Sequence, residues 1–199
     1  MSAHEMSAFI IAGGKSRRFG EDKTMFKYMG RPLIEFVIEA VKPAIPTIAI
    51  VADDIGKFEY LGLPCHRDIV PGLGPIGGIY TGLVNSETER AFMVAADMPG
   101  LNPDLIRHMA AISEGYDVTV PVVGGLYEPL HAIYSRNCRV PIEKFLKKGN
   151  RQIISFFHEV SLRTVTENEI NEFIDPRRVF RNINYQSDMN DKENTNTGE

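Results

Sequence analysis

Cysteine is scarce in this chain: only Cys65 and Cys138 occur among its 199 residues. They do not form a C-x-x-C pair, so the sequence predicts neither a disulfide framework nor a cysteine-based metal site. We expect both to be buried free thiols. His66 and His131 have no second ligand pair at zinc-like spacing and are interpreted as structural residues.

An excess of positive charge is also lacking, because 22 Lys and Arg face 26 Asp and Glu, for a net charge of -4. Binding to nucleic acid by release of counterions is therefore not expected. No apolar run reaches 18 residues, and the short one at positions 8–12 stops at two glycines, so we expect neither a signal peptide nor a membrane partner. The sequence predicts a cytoplasmic protein whose binding charge is concentrated locally.

What is present is an alternation of short apolar runs with amphipathic helical patterns, which predicts an α/β fold with a doubly wound, mostly parallel sheet and helices on both faces. The predicted strands are 8–12, Thr47–Ala52, 65–69, 91–96, 117–121 and 131–134. The predicted helices are one opened by Arg31-Pro32-Leu33 and ended by Pro43, one over 79–84, one capped by Asn102 and Pro103, and one near 140–148. Residues 72–78 are predicted to be a turn. We expect one domain over 1–184 and a disordered tail over 185–199, where apolar residues are almost absent.

The segment IAGGKSRRFGEDK, residues 11–23, follows the first predicted strand and has the composition of a polyphosphate-binding loop. Its glycines are Gly13, Gly14 and Gly20, and its cations are Lys15, Arg17, Arg18 and Lys23. Glycines let backbone N–H groups converge on phosphate oxygens, and cations neutralise a departing pyrophosphate. The spacing fits neither the P-loop nor the dinucleotide fingerprint. The alternative is a solvated turn whose charges face water.

Asp97 follows the apolar run AFMVAA and is expected at the carboxyl edge of the sheet, where ligands bind in doubly wound folds. A carboxylate there suits Mg²⁺, which prefers one or two carboxylates together with substrate phosphates and water. The alternative is an ordinary turn or helix-capping residue. Only the pairing with the glycine-rich segment favours the metal-binding interpretation.

Together these segments resemble the molybdenum cofactor guanylyltransferase family, whose signature LAGGxSxRMGxDK is matched by residues 11–23 with Ile11 and Phe19 as conservative departures. The resemblance extends over most of the chain, from Ala8 to about Asn184. Its further matches are Arg31-Pro32-Leu33, Asp68, Gly74-Pro75-Ile76-Gly77-Gly78, Asp97-Met98-Pro99, Glu128-Pro129-Leu130 and Asn182-Ile183-Asn184.

This resemblance implies a Rossmann-like nucleotidyltransferase that moves GMP from GTP to the phosphate of molybdenum-bearing molybdopterin, with Mg²⁺ as cofactor. It implies GTP contacts at Ile11, Ala12, Gly13, Gly14, Lys23, Asp68 and Asp97. It also implies catalytic roles for Lys23, Arg18 and Asp97, and binding of the metal by Asp97. Asn182 and Asn184 are expected to contact the pterin substrate. A family Asn contact falls near Asp53, where this chain differs. Transient contact with molybdopterin-delivering proteins or acceptor molybdoenzymes is a further expectation.

Two other functions remain open at this point. A molybdopterin cytidylyltransferase or a sugar-phosphate nucleotidyltransferase would share the architecture, and the resemblance associates Gly13, Gly14 and the GPIGG segment with guanine. A nucleotide-binding module without turnover is the second alternative. The presence of both Lys23 and Asp97 argues against it, because loss of either would be the simplest route to inactivity.

Overall fold

A single eight-stranded sheet organises the molecule, and the computed structural model describes residues 6–12 and 27–180. Its strands run in the order β10-β7-β9-β6-β1-β4-β5, with β8 beside β7, and β2 and β3 form a separate pair. The strands are β1 (Ser7–Ile11), β2 (Lys27–Tyr28), β3 (Arg31–Pro32), β4 (Thr47–Ala52), β5 (Cys65–Arg67), β6 (Arg90–Ala95), β7 (Val118–Val123), β8 (Leu126–Tyr127), β9 (His131–Ser135) and β10 (Leu162–Val165).

The sheet is mostly parallel, as predicted. Strand β1 pairs in parallel with β4 and β6, β4 with β5, and β7 with β10. Only β9 runs against its neighbours β6 and β7, and β8 folds back on β7 through a two-residue turn at Gly124 and Gly125. Both glycines have positive φ, the backbone that a two-residue hairpin turn requires.

Helices cover both faces of this sheet. They are α1 (Leu33–Val41), α2 (Pro75–Asn85), α3 (Pro103–Ala111), α4 (Arg139–Lys147), α5 (Glu167–Asn171) and α6 (Pro176–Val179), with 3-10 turns at Ile55–Leu61, Arg136–Cys138 and Ile153–Glu159. Because side chains alternate along a strand, Ile10 of β1 joins the core with α1 and α3, whereas Phe9 and Ile11 join the core with α2 and α4. The doubly wound α/β prediction is confirmed.

Several element boundaries agree with the sequence patterns. Strand β4 has the predicted bounds, and helix α1 lies within the limits predicted from Arg31 and Pro43. Asn102 caps α3 by accepting hydrogen bonds from the backbone N–H groups of Asp104 (2.8 Å) and Leu105 (3.0 Å). The expectation of two buried free thiols is confirmed for Cys138, whereas Cys65 is partly exposed. Strand β10 and helices α5 and α6 were not predicted.

Helix α2 corrects the prediction of a turn over 72–78 followed by a helix over 79–84, because the helix already begins at Pro75. Proline suits the first helical turn, and Gly74 before it takes a positive φ of 71°. The glycines inside the helix allow close packing on the sheet. A Cβ on Gly78 would lie 2.6 Å from Ile11 Cγ2, and one on Gly82 would lie 2.9 Å from Met93 Cε.

Within residues 6–12 and 27–180, no helix is long and apolar enough to cross a membrane. The division into a domain over 1–184 and a tail over 185–199 stays a prediction, because the proposed boundary lies outside the residues that the structure describes.

Asp117 joins three segments at the edge of the molecule where β7 begins. One carboxylate oxygen accepts hydrogen bonds from Ser135 Oγ (3.1 Å) and Asn137 Nδ2 (2.9 Å), and the other accepts from the Ser161 backbone N (3.0 Å) and Oγ (2.8 Å). Partial burial raises the pKa of Asp117, but these hydrogen bonds outweigh it and leave the pKa below the usual 3.8. The ionised carboxylate therefore stabilises the fold.

We predict that Asp117→Ala lowers the free energy of unfolding by about 1–3 kcal/mol at pH 7, because four donors lose their acceptor. A carboxylate with a lowered folded pKa contributes its stability above the unfolded pKa and loses it as pH falls through the folded value. The difference from wild type should therefore shrink below about pH 4. Urea unfolding of both proteins at pH 7 and below about pH 4 measures this difference in the free energy of unfolding. The exposed Asp54→Ala is the control, and equal losses in the two variants would contradict the prediction.

Candidate functional site

Four parallel strands end side by side at one edge of the sheet, and this edge carries the candidate site. Ile11 of β1 lies between Val51 of β4 and Ala95 of β6 in the pairing register, and Ala52 lies beside Arg67 of β5. Since all four strands point the same way, the residues that follow them emerge together.

The hydrogen-bond ladder continues one residue beyond the end of β1. The backbone N of Ala12 donates to Val51 O (2.8 Å), and the backbone N of Ala96 donates to Ile11 O (3.2 Å). Ile11 and Ala12, two of the residues expected to contact GTP, are thereby fixed between the ends of β4 and β6. Residues 13–23 of the glycine-rich segment lie outside the described residues, and Ala12, the last described residue before them, follows the residue that is hydrogen-bonded to Ala96.

Asp97 lies in the turn that follows β6 and is half-buried. The residue that caps α3 is Asn102, as predicted, and Asp97 lies in a turn, so the alternative of an ordinary turn residue stays open. Within residues 6–12 and 27–180, no cluster of three or more His, Cys, Asp or Glu side chains is arranged to hold a metal ion. A Mg²⁺ bound with a triphosphate needs only one or two carboxylates, and Asp97 fits that requirement at this edge.

Asp68, the residue after β5, is buried at the same edge with 8% of its surface exposed. Its backbone N donates to Ala52 O (3.3 Å), which continues the pairing with β4. Burial raises the pKa of Asp68, a hydrogen bond from Thr81 Oγ1 to its Oδ1 (2.9 Å) lowers it, and the negative charge of Asp53 raises it again. The net effect is a raised pKa.

Thr81 is a residue of this site that sequence reasoning missed. It lies on α2, is fully buried, and its hydroxyl donates to Asp68 while accepting from the Ile69 backbone N (3.0 Å). The Thr81 hydroxyl thus orients both the carboxylate and the backbone that follows it. A lone polar residue between Ile79 and Leu83 was the only signal in the sequence.

Asp53 is exposed and follows β4, and its charge reaches the Asp68 carboxyl group, as the effect on the pKa shows. The structure therefore brings Asp53, Asp68 and Asp97 to the same sheet edge as Ile11 and Ala12. The remaining candidates lie outside the described residues: Gly13, Gly14, Arg18, Lys23, Asn182 and Asn184.

The histidines agree with a structural role. His131 is fully buried between the rings of Phe92 (5.1 Å between centroids) and Phe180 (5.2 Å), and burial lowers its pKa to about 3. A neutral imidazole enclosed by phenyl rings packs as an aromatic core residue. His66 lies 6.1 Å from the ring of Phe9.

Comparison with known proteins agrees with this geometry. Residues 8–163 match the model of the MobA-like NTP transferase domain. A protein named probable molybdenum cofactor guanylyltransferase from Natranaerobius thermophilus is 35% identical over 190 residues, covering 92% of this chain and 93% of that protein. The molybdenum cofactor guanylyltransferase of Vibrio parahaemolyticus is 32% identical, with 93% of each chain covered.

Solved structures extend the similarity to the fold. The crystal structure of molybdopterin-guanine dinucleotide biosynthesis protein A from Archaeoglobus fulgidus has a TM-score of 0.81 at 26% identity and covers 94% of this chain and 97% of its own. The 4-diphosphocytidyl-2C-methyl-D-erythritol synthase of Anaerococcus prevotii shares the fold alone, with a TM-score of 0.67 at 13% identity, covering 94% and 93%. The chain belongs to the molybdenum cofactor guanylyltransferase family of MobA-like NTP transferases.

Proposed function

We propose that this nucleotidyltransferase transfers GMP from GTP to the phosphate of molybdenum-bearing molybdopterin, giving the molybdopterin guanine dinucleotide cofactor and pyrophosphate. The names of the curated relatives support the substrates. The observation that carries the proposal is the hydrogen bond from Ala96 N to Ile11 O, because it ties the start of the glycine-rich segment to the turn of Asp97. We propose a cytoplasmic location, with transfer of the product to acceptor molybdoenzymes.

The reaction replaces one phosphoanhydride bond by another. An oxygen of the acceptor phosphate attacks the α-phosphorus of GTP, the bond between the α-phosphorus and the bridging oxygen breaks, and pyrophosphate leaves with the electron pair. A phosphate monoester is mostly dianionic at neutral pH, so no general base is needed. The protein has to align the two phosphates and neutralise their charge.

Each predicted residue has a role in that alignment. We propose that Arg18 and Lys23 hold phosphate oxygens and that the backbone N–H groups of Gly13 and Gly14 bind the same triphosphate. The carboxylate of Asp97 would hold Mg²⁺, which supplies positive charge next to the phosphates when it is bound. The position of Asp97 in the turn that follows β6 supports this role, since ligands bind at the carboxyl ends of the strands in doubly wound folds.

Asp68 and Thr81 are proposed to orient the nucleoside part of GTP. Asp68 lies beside the β4 end of the site, and the Thr81 hydroxyl holds one of its oxygens. A carboxylate fixed in this way accepts hydrogen bonds from a ligand with little loss of side-chain freedom. Exposed Ile69 and Val70, which follow Asp68, add an apolar surface for a planar ring.

A pyrophosphate-release assay with each of the four ribonucleoside triphosphates, with and without molybdenum-loaded molybdopterin, tests the proposal directly. We expect release with GTP and only in the presence of the acceptor. A preference for CTP would identify a cytidylyltransferase instead. Thermal stabilisation by GTP without any pyrophosphate release would support the nucleotide-binding module.

Lys23→Ala and Asp97→Ala are each predicted to leave the fold intact and to reduce GTP-dependent pyrophosphate release by about 100-fold or more. Each removes a charge that is needed where negative charge develops on the phosphates. The assay is steady-state pyrophosphate release with GTP, magnesium and molybdopterin, after circular dichroism has verified folding. Asp54→Ala is the control because Asp54 is exposed. Full activity in either test variant would refute the mechanism.

Thr81→Val is predicted to weaken GTP binding and to raise the pH at which GTP affinity is lost on acidification. The carboxylate form of Asp68 accepts hydrogen bonds, so GTP affinity should fall as pH drops through the Asp68 pKa. The hydrogen bond from Thr81 lowers that pKa, and its removal should therefore raise the midpoint of this fall. Titrations of GTP-dependent thermal stabilisation between pH 4 and pH 8 measure this midpoint. We expect it to rise by about half a pH unit or more in the variant.

Thr119→Val is the matched control for this substitution. Thr119 is also buried, but its hydroxyl has no hydrogen-bond partner in the part of the chain that the structure describes, so the same change should leave the pH dependence of GTP binding unaltered. An identical midpoint in wild type and Thr81→Val would contradict the proposed role of the pair formed by Asp68 and Thr81.

A further inference from the structure

Glu128 is a half-buried carboxylate that the proposed nucleotide site does not use. Its backbone is fixed on both sides, since its N donates to Pro121 O (2.9 Å) and its O accepts from the backbone N of His131 (3.1 Å). Within residues 6–12 and 27–180, no hydrogen bond or ion pair of its side chain is observed, and burial raises its pKa. A carboxylate that loses water without gaining a partner costs stability, which suggests a ligand as the missing partner.

The antiparallel direction of β9 brings Glu128 to the ligand edge. Strand β9 pairs with β6 so that His131 lies opposite Val94, and the backbone N of Ala95 donates to Leu130 O (3.0 Å). The residues that precede β9 therefore lie beside the residues that follow β6. Glu128 is two residues from Leu130 on one side of this hydrogen bond, and Asp97 is two residues from Ala95 on the other.

Glu128 lies on the opposite side of Asp97 from Asp68. Strand β9 is four positions from β5 in the sheet order, which corresponds to about 19 Å at 4.8 Å per strand. One purine ring cannot contact carboxylates so far apart. If Asp68 orients the nucleoside of GTP, Glu128 is available to the second substrate.

An open cavity of about 500 Å³ lies beyond β7 and β8, on the side away from β6, and its lining includes Tyr127, the residue before Glu128, but not Glu128 itself. Val122, Tyr127, Thr164 and Asn168 contribute to its lining. Volumes of this size hold small organic ligands, and the mixture of an aromatic ring with hydroxyl and amide groups suits a polar heterocycle. The tip of the β7–β8 hairpin is held here, because Gly124 N donates to Glu167 Oε1 (2.5 Å).

We propose that Glu128 is a specificity-determining residue for the acceptor, and that its carboxylate accepts hydrogen bonds from the 2-amino-4-oxo edge of a pterin ring. This inference rests on the proposed function, which supplies the pterin as substrate class. That edge presents a ring N–H and an amino group side by side, and a carboxylate accepts from both at once. An analogue with a 2-oxo group lacks the amino donor and leaves one carboxylate oxygen unpaired.

The test compares two probes, 6-hydroxymethylpterin monophosphate and the corresponding 2,4-dioxopteridine monophosphate, by fluorescence titration of the whole protein. Wild type should bind the 2-amino probe at least about tenfold more tightly than the 2-oxo probe. Glu128→Gln keeps the shape of the side chain but replaces one acceptor oxygen by a donor. It should weaken binding of the 2-amino probe about tenfold or more and reduce the preference to about twofold.

Thermal stabilisation by GTP should stay within about twofold in apparent affinity in Glu128→Gln, which separates this role from nucleotide binding and from misfolding. Glu172→Gln, an exposed glutamate changed in the same way, should behave as wild type. The assignment is overturned if Glu128→Gln keeps the 2-amino preference, if it weakens GTP and pterin binding equally, or if wild type shows no preference.

The pyrophosphate assay distinguishes failure of the Glu128 assignment from failure of the proposed transfer reaction. A wild-type protein that prefers the 2-amino probe but releases no pyrophosphate from GTP and molybdopterin would refute the transfer reaction and leave the Glu128 assignment standing. A protein that performs the transfer while Glu128→Gln retains the probe preference would refute the assignment alone.

Discussion

The pairing of β1 with β4 on one side and β6 on the other is the constraint on which the candidate site depends. Strand β1 is buried on both faces, with Phe9 and Ile10 in opposite cores, so a shift of one residue would exchange the two sets of core side chains. The same register that satisfies the core sets the point at which the chain leaves the sheet after Ala12. The same strand register is therefore required both for packing of the core and for the geometry of the candidate site.

Helix α2 extends that constraint to the end of the site that carries Asp68. Glycine inside a helix costs about 1 kcal/mol relative to alanine. Here Gly78 and Gly82 let the helix approach β1 and β6 so closely that a Cβ would collide with Ile11 or Met93. The close approach puts Thr81 within hydrogen-bond distance of Asp68. The small residues that obscured this helix in the sequence thus serve the packing that orients the Asp68 carboxylate.

Local patterns predicted the parts of the structure that local chemistry determines. The run TIAIVA gave β4 its bounds, the spacing of Leu33 and Val37 gave α1, and Asn102 with Pro103 gave the start of α3. Asp97 was recognisable because it directly follows an apolar run. Thr81 was not, since its hydrogen bond to Asp68 joins residues 13 positions apart. Glu128 was named only within the family match Glu128-Pro129-Leu130, because its position beside β6 depends on strand pairing that is distant in sequence. Helix α2 was shortened in the prediction because its glycines have low helix propensity outside this tertiary context.

The antiparallel strand β9 between β6 and β7 would allow one sheet edge to hold both substrates of the proposed reaction. A parallel strand brings only its carboxyl-terminal residues to that edge, whereas β9 brings the residues before it, including Glu128. The edge then carries the Asp68 carboxylate at one end, Asp97 in the middle and the Glu128 carboxylate beyond it. The two substrates of the proposed reaction end in rings with the same 2-amino-4-oxo edge and meet through their phosphates. This distribution of carboxylates favours a nearly linear arrangement across the strand ends, in which the phosphates lie between the guanine ring and the pterin ring.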